Sequence, residues 1–160
     1  TRELGTSPEQ GSFALTVFFS IGIFMTYIGG LLGDKFGPIK IIRLSLLVWL
    51  PAMFLLTEVP DFSPVIMLPV GYLLLLMIGA AKAISYSPVI VLGQTYLAKS
   101  IGFASGITLG VSQTIGGVIA PVVGNLADTY SLPVAMMTLV PFLIGGLGAS
   151  LLLKDPKKLQ

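Results

Sequence analysis

An all-α, polytopic membrane protein of five transmembrane helices is the fold class the sequence predicts, and three observations carry that prediction. Of 160 residues, 54% are hydrophobic and only 10% charged, and the mean hydropathy is +0.96, a balance that would leave a water-soluble domain of this length covered in apolar patches. The apolar residues form long runs of bilayer length, separated by charged or proline-broken stretches. Along those runs polar and apolar residues do not alternate, which excludes the strands of a transmembrane barrel.

The first span is expected at about residues 8–32. Ser7 suits a helix cap, Pro8 the first turn, and Gln10 the reciprocal position of a capping box. The charged turn Gly30-Leu31-Leu32-Gly33-Asp34-Lys35-Phe36-Gly37 follows, with Lys40 and Arg43 just beyond it. A second span is expected at about 39–56, with a kink at Pro51, and the polar loop Glu58-Val59-Pro60-Asp61-Phe62-Ser63-Pro64 closes it. The third, about 65–98, is longer than a bilayer needs, so tilt, extension and a bend at Pro88 must absorb the excess. Ser100 is placed to cap a fourth span at about 101–127. A fifth runs from about 132 to 153, and Lys154-Asp155-Pro156-Lys157-Lys158 ends the membrane region.

Lysine and arginine set the orientation. Lys35, Lys40 and Arg43 lie by the first loop, Lys99 in the third, and Lys154, Lys157 and Lys158 in the tail, all on one side if there are five spans. By the positive-inside rule that side is cytoplasmic, which puts the N-terminus outside and the C-terminus in the cytoplasm. The chain opens at Thr1, and at about 20 residues per span it has no room for a complete twelve-helix transporter, so it reads as a piece of a longer protein.

The residue inventory also excludes function classes. With no Cys and no His there is no disulfide framework, no thiolate or imidazole metal site and no Cys- or His-based nucleophile. The net charge of +2 is scattered over loop ends and builds no face for nucleic acid. Neither an enzyme nor a cofactor-binding protein is indicated.

Polar side chains inside a bilayer usually face protein or a wet cavity. They are sparse in the second and fifth spans (Ser45, Thr138, Ser150), which suits a lipid-facing periphery. They gather in the third (Lys82, Ser85, Tyr86, Ser87, Gln94) and the fourth (Ser105, Thr108, Ser112, Gln113, Thr114, Asn125), with Thr16, Ser20, Thr26 and Tyr27 of the first beside them. Lys82 stands near the middle of its span, where an unpartnered ammonium costs at least ~2.5 kcal/mol. Ser85 and Tyr86 share its helix face and present two hydroxyls beside the cation, a set suited to an anionic or polar solute. Snorkelling, or pairing with a carboxylate elsewhere, are the alternatives for Lys82. No Asp or Glu falls inside a span, so any proton coupling involves Lys82 or residues outside this chain.

Gly102, Gly106 and Gly110 recur at four-residue spacing, a stripe on which another helix can pack closely. Gly116-Gly117, Pro121 and Gly124 then give the fourth span a kink-prone half. Gly124-Asn125-Leu126-Ala127-Asp128 echoes Gly30-Leu31-Leu32-Gly33-Asp34 at the opposite membrane face, as an inverted repeat would.

The Gly-x-x-x-Asp-Lys-x-Gly loop of Gly30, Asp34, Lys35 and Gly37 resembles the cytoplasmic signature of the major facilitator superfamily, and the order of spans resembles helices eight to twelve of that fold. Val91-Leu92-Gly93-Gln94, Gly102-Phe103-Ala104-Ser105-Gly106 and the Gly116-to-Asp128 stretch look most like its fosmidomycin-resistance branch of drug exporters. The loop departs from the family pattern in one respect: Pro38 and Ile39 stand where a basic pair is usual, and Lys40 and Arg43 are the nearest cations.

The resemblance implies two six-helix domains rocking about a central cavity, of which the opposite domain and one helix of this domain are missing here. It implies that the first, third and fourth helices face that cavity, and that Asp34 braces the opposite domain on the cytoplasmic side. The expected function is secondary active transport of a small organic solute by alternating access, as proton-coupled drug or anion efflux. Lys82, Ser85, Tyr86 and Gln113 are the candidate solute contacts. A solute importer on the same fold and a stand-alone membrane scaffold are the competing readings.

Overall fold

The computed structural model describes residues 8–58 and 64–153. Its helices are α1 (Pro8–Phe36), α2 (Pro38–Glu58), α3 (Pro64–Tyr96), α4 (Ile101–Thr129), α5 (Leu132–Met137) and α6 (Val140–Leu152), with a short 3-10 turn at Ala98–Ser100. Four long helices, together with the α5–α6 pair taken as one segment, are long and apolar enough to cross a membrane. Ser7, Asp61 and the Lys154, Lys157 and Lys158 tail lie outside the described residues.

The expected charged turn is mostly helix. α1 continues through Asp34 and Lys35 to Phe36, and a single residue, Gly37, makes the reversal at φ +94°. Its N–H donates to the Gly33 carbonyl at 2.9 Å, which closes the last turn of α1 in the left-handed cap that glycine favours. Pro38 then opens α2, where its missing N–H costs nothing.

The last span is broken rather than continuous. α5 starts under the Ser131 side chain, which accepts from the Val134 N–H, and it stops at Met137. The reason is Pro141: it has no N–H to offer the Met137 carbonyl and its ring crowds that position. The chain turns at Thr138–Leu139 and restarts as α6 with the proline in its first turn. Ser100 does precede α4 as expected, yet its side chain makes no capping bond.

α3 is the central helix, in contact with α1, α2 and α4, while α2 touches α1, α3, α5 and α6. Two apolar clusters hold this body. Ala52 and Met53 of α2 meet Leu74 and Ile78 of α3 and Leu143 of α6; nearer the Gly37 turn, Ile39 and Ile42 meet Leu92, with Leu153 packed against them. α4 is the outlier. Among the described helices it touches only α3 and α5, and its middle is unburied.

Candidate functional site

Close backbone approach fixes α1 on α3. A Cβ added at Gly33 would lie 3.2 Å from the Pro88 ring, and one at Gly30 3.2 Å from the Ser87 hydroxyl; at Gly29 it would run into the Ile84 main chain. Glycines of the loop signature therefore hold α1 against the α3 segment just beyond Lys82. Pro88, the expected bend, is buried in this contact.

Along α3, Lys82 and Tyr86 are exposed, one turn apart on the same face. Ser85 donates its hydroxyl to the Lys82 carbonyl at 2.9 Å, so its lone pairs remain for a donor. Among the described residues no carboxylate pairs with the Lys82 ammonium.

α4 is tied to the end of α3 by polar and close contacts. Gln94 Nε2 donates to Ser105 Oγ at 2.8 Å, and Thr108 Oγ1 packs into the space left by Gly93. These pairs set the register of the hairpin. At a rise of 1.5 Å per residue, Gln113 stands roughly 7 Å along α4 from Thr108 and Tyr86 roughly 10 Å back along α3 from Gly93, so the two are within a turn of the same height. No hydrogen bond joins Gln113 to Lys82, Ser85 or Tyr86, and Gln113 is exposed.

At the C-terminal end of α1 and the start of α2, Asp34, Lys35 and Lys40 are exposed, and Lys35 Nζ sits 5.4 Å from the Phe36 ring centroid. Among the described residues Asp34 has no ion-pair partner, although it occupies the helix end where a negative charge is least favourable. Arg43 is directed elsewhere: Nε and Nη2 donate to the Ser150 carbonyl of α6 at 3.1 and 2.7 Å.

The sequence that builds these bilayer-length helices, the charged turn and the mid-span cation is matched over residues 1–160 by the family described as Major Facilitator Superfamily. The chain belongs to that superfamily. It is 32% identical over 151 residues to an uncharacterized MFS-type transporter, YfnC, of Bacillus subtilis, covering 94% of this chain and 35% of the relative. It is 30% identical over 131 residues to the fosmidomycin resistance protein of Escherichia coli, covering 82% of this chain and 30% of the relative. The chain thus spans about a third of the length of the curated relatives it matches. No solved structure matches.

For a superfamily member, the glycines divide into two sets. Gly29, Gly79 and Gly93 are close-approach positions that composition alone does not reveal. The Gly29-x-x-x-Gly33 spacing is the signal that would have found the first of them. Gly102, Gly106, Gly110, Gly116, Gly117 and Gly124, expected to pack, have nothing within 4 Å of an added Cβ among the described residues, and Pro121 is exposed. Phe103, Gly106, Gly110 and Thr114 instead line an open groove of about 430 Å³ along α4.

Proposed function

We propose that the chain is the C-terminal part of a secondary active transporter that exports a small drug-like or anionic organic solute across the cytoplasmic membrane, coupled to protons and working by alternating access. The observation that carries the reading is Lys82: an exposed ammonium in mid-span, one helical turn from the exposed Tyr86 and paired with no carboxylate among the described residues. Such a cation is costly in lipid and useful in a water-filled cavity, where it attracts an anion. Membership of the superfamily and the likeness to a fosmidomycin resistance protein support efflux. In this reading α1, α3 and α4 face the cavity, the termini lie outside and inside respectively, and Gln113 meets the solute from α4. Asp34, Lys35 and Lys40 are the part of the inner turn that engages the opposite domain, since Gly30, Gly33 and Arg43 are occupied within this one.

The test is transport by the full-length gene product in proteoliposomes, with labelled fosmidomycin as the probe and an imposed proton gradient. Extrusion that collapses when the gradient is dissipated supports the reading. Lys82→Met should raise KM by about tenfold or more, since a hydrogen bond to a charged group is worth roughly 1.5–3 kcal/mol. Gradient-driven accumulation would reverse the direction, and transport by Lys82→Met equal to the parent would remove Lys82 from the site.

A further inference from the structure

The C-terminus of α6 is finished by another helix. Every helix loses its last four carbonyls as intrahelical acceptors, and they need partners from somewhere. α1 is closed by the Gly37 N–H on Gly33, α3 by the Leu97 N–H on Gly93, α4 by the Tyr130 N–H on Leu126, and α5 by the Thr138 N–H on Val134. Each of these caps comes from the chain that directly follows. α6 has no glycine after it, and Leu153 leaves in an extended conformation at φ −67°, ψ 130°. Its orphan carbonyls on Ser150 and Leu151 accept instead from the Arg43 guanidinium of α2, at 2.7 and 3.1 Å for Ser150 and 3.4 Å for Leu151.

Several neighbours make this contact a built one. Ser45 and Ser150 are both buried and small, and each satisfies its hydroxyl on its own helix, through the Ile42 and Leu147 carbonyls. Among the described residues, that leaves Arg43 as the polar link between α2 and α6. Leu153, the residue directly after α6, packs against the cluster that holds Ile39 and Ile42 at the start of α2. The guanidinium is planar and presents its donors as a fork, which is what two successive carbonyls of a helix end require; a lysine ammonium offers a single point. Its charge also meets the negative end of the α6 dipole. At its other end α6 is already separated from α5 by the break at Thr138–Leu139.

We infer that Arg43 is a latch: it stands in for the missing next turn of α6, so that the final helical turn forms only while α6 is docked on α2, and the inner ends of the two helices move as one body. Bending within the last span is then confined to the Thr138–Leu139 break. This assignment does not depend on which solute is carried or in which direction.

The latch is tested in the full-length gene product by paired spin labels. Cysteine is absent from these 160 residues, so Leu44→Cys with Leu152→Cys, both exposed positions, reports the α2–α6 separation, and Leu31→Cys with Leu44→Cys reports the α1–α2 turn as a control. Arg43→Gln should widen the Leu44/Leu152 distance distribution and move it to longer separation while leaving the control pair as it was. Arg43→Lys should fall between. Amide hydrogen exchange over residues 147–152 should rise in the same order. An unchanged Leu44/Leu152 distribution in Arg43→Gln overturns the latch. So does equal widening of both pairs, which would make Arg43 a general requirement for folding rather than a local one.

Discussion

Gly29 of α1 and Ile84 of α3 meet backbone to backbone: a Cβ on Gly29 would lie 2.8 Å from both the Cα and the carbonyl carbon of Ile84, and nearer still to its oxygen. With Gly33 against Pro88, this makes the α1–α3 contact a packing of small residues, which is how helices associate when the solvent is as apolar as their side chains. Gly29→Ala must push α1 away from α3, an overpacking cost of about 1–3 kcal/mol. Thermal unfolding in detergent should show a lower midpoint for Gly29→Ala than for the parent. An unchanged midpoint would mean that the contact is looser than it looks.

The contrasting substitution is Gly102→Ala. An alanine there meets nothing among the described residues and gains roughly 1 kcal/mol of helix propensity over glycine. In these 160 residues alone, Gly102→Ala should therefore unfold at the same or a higher temperature. In the full-length gene product the outcome is diagnostic: a fall in the midpoint would place a helix from outside this chain on the stripe, and a rise would leave the stripe facing lipid or water.

The five apolar segments were legible from run length alone, because bilayer thickness fixes it. What the sequence obscured follows from local rules that composition does not expose. Hydroxyls alone do not mark a cavity lining: Thr26, Ser45, Ser85, Thr95, Thr114 and Ser150 each donate to a carbonyl three or four residues back, so they are satisfied in any apolar setting. Lys82 and Gln113 are long and polar, and neither has a hydrogen-bond or ion-pair partner among the described residues. Arg43 follows the charged loop directly in sequence, yet its partner, Ser150, is 107 residues away. No spacing rule could have joined them.

Gln94 and Ser105 carry the polar link across the α3–α4 hairpin, at 2.8 Å. Interhelical hydrogen bonds of this kind in a membrane are worth about 0.6 kcal/mol on average. Gln94→Leu and Ser105→Ala should each destabilise by about that much, and the double variant should cost little more than either single one, because both remove the same bond. Strict additivity in a double-mutant cycle would show that the two side chains are not coupled.

Gly37 turns the chain at φ +94°, with open space where a Cβ would stand. The cost of replacing it is therefore conformational rather than steric contact with a neighbour. Gly37→Ala should lose about 1–2 kcal/mol, the penalty for an ordinary residue in the left-handed region. Gly37→Asn should lose less, since asparagine tolerates that conformation through local hydrogen bonding. Equal midpoints for the alanine and asparagine variants would show that the reversal relaxes to a negative φ once glycine is gone.

Pro141 accounts for the break in the last span, and its removal has a definite expected result. In Pro141→Ala the alanine N–H can donate to the Met137 carbonyl, and no ring obstructs the turn before it. At present the break is held by compensating bonds: Leu139 N–H to Met136, Phe142 N–H to Leu139, and the Thr138 hydroxyl to Ala135. The substitution should let α5 and α6 join, slowing amide exchange at residues 138–142 relative to the parent. If the break serves as the bending point that the α6 latch leaves free, the same variant should keep or gain thermal stability while losing transport turnover in the full-length gene product. Retained turnover with slowed exchange would mean that the last span does not need to bend.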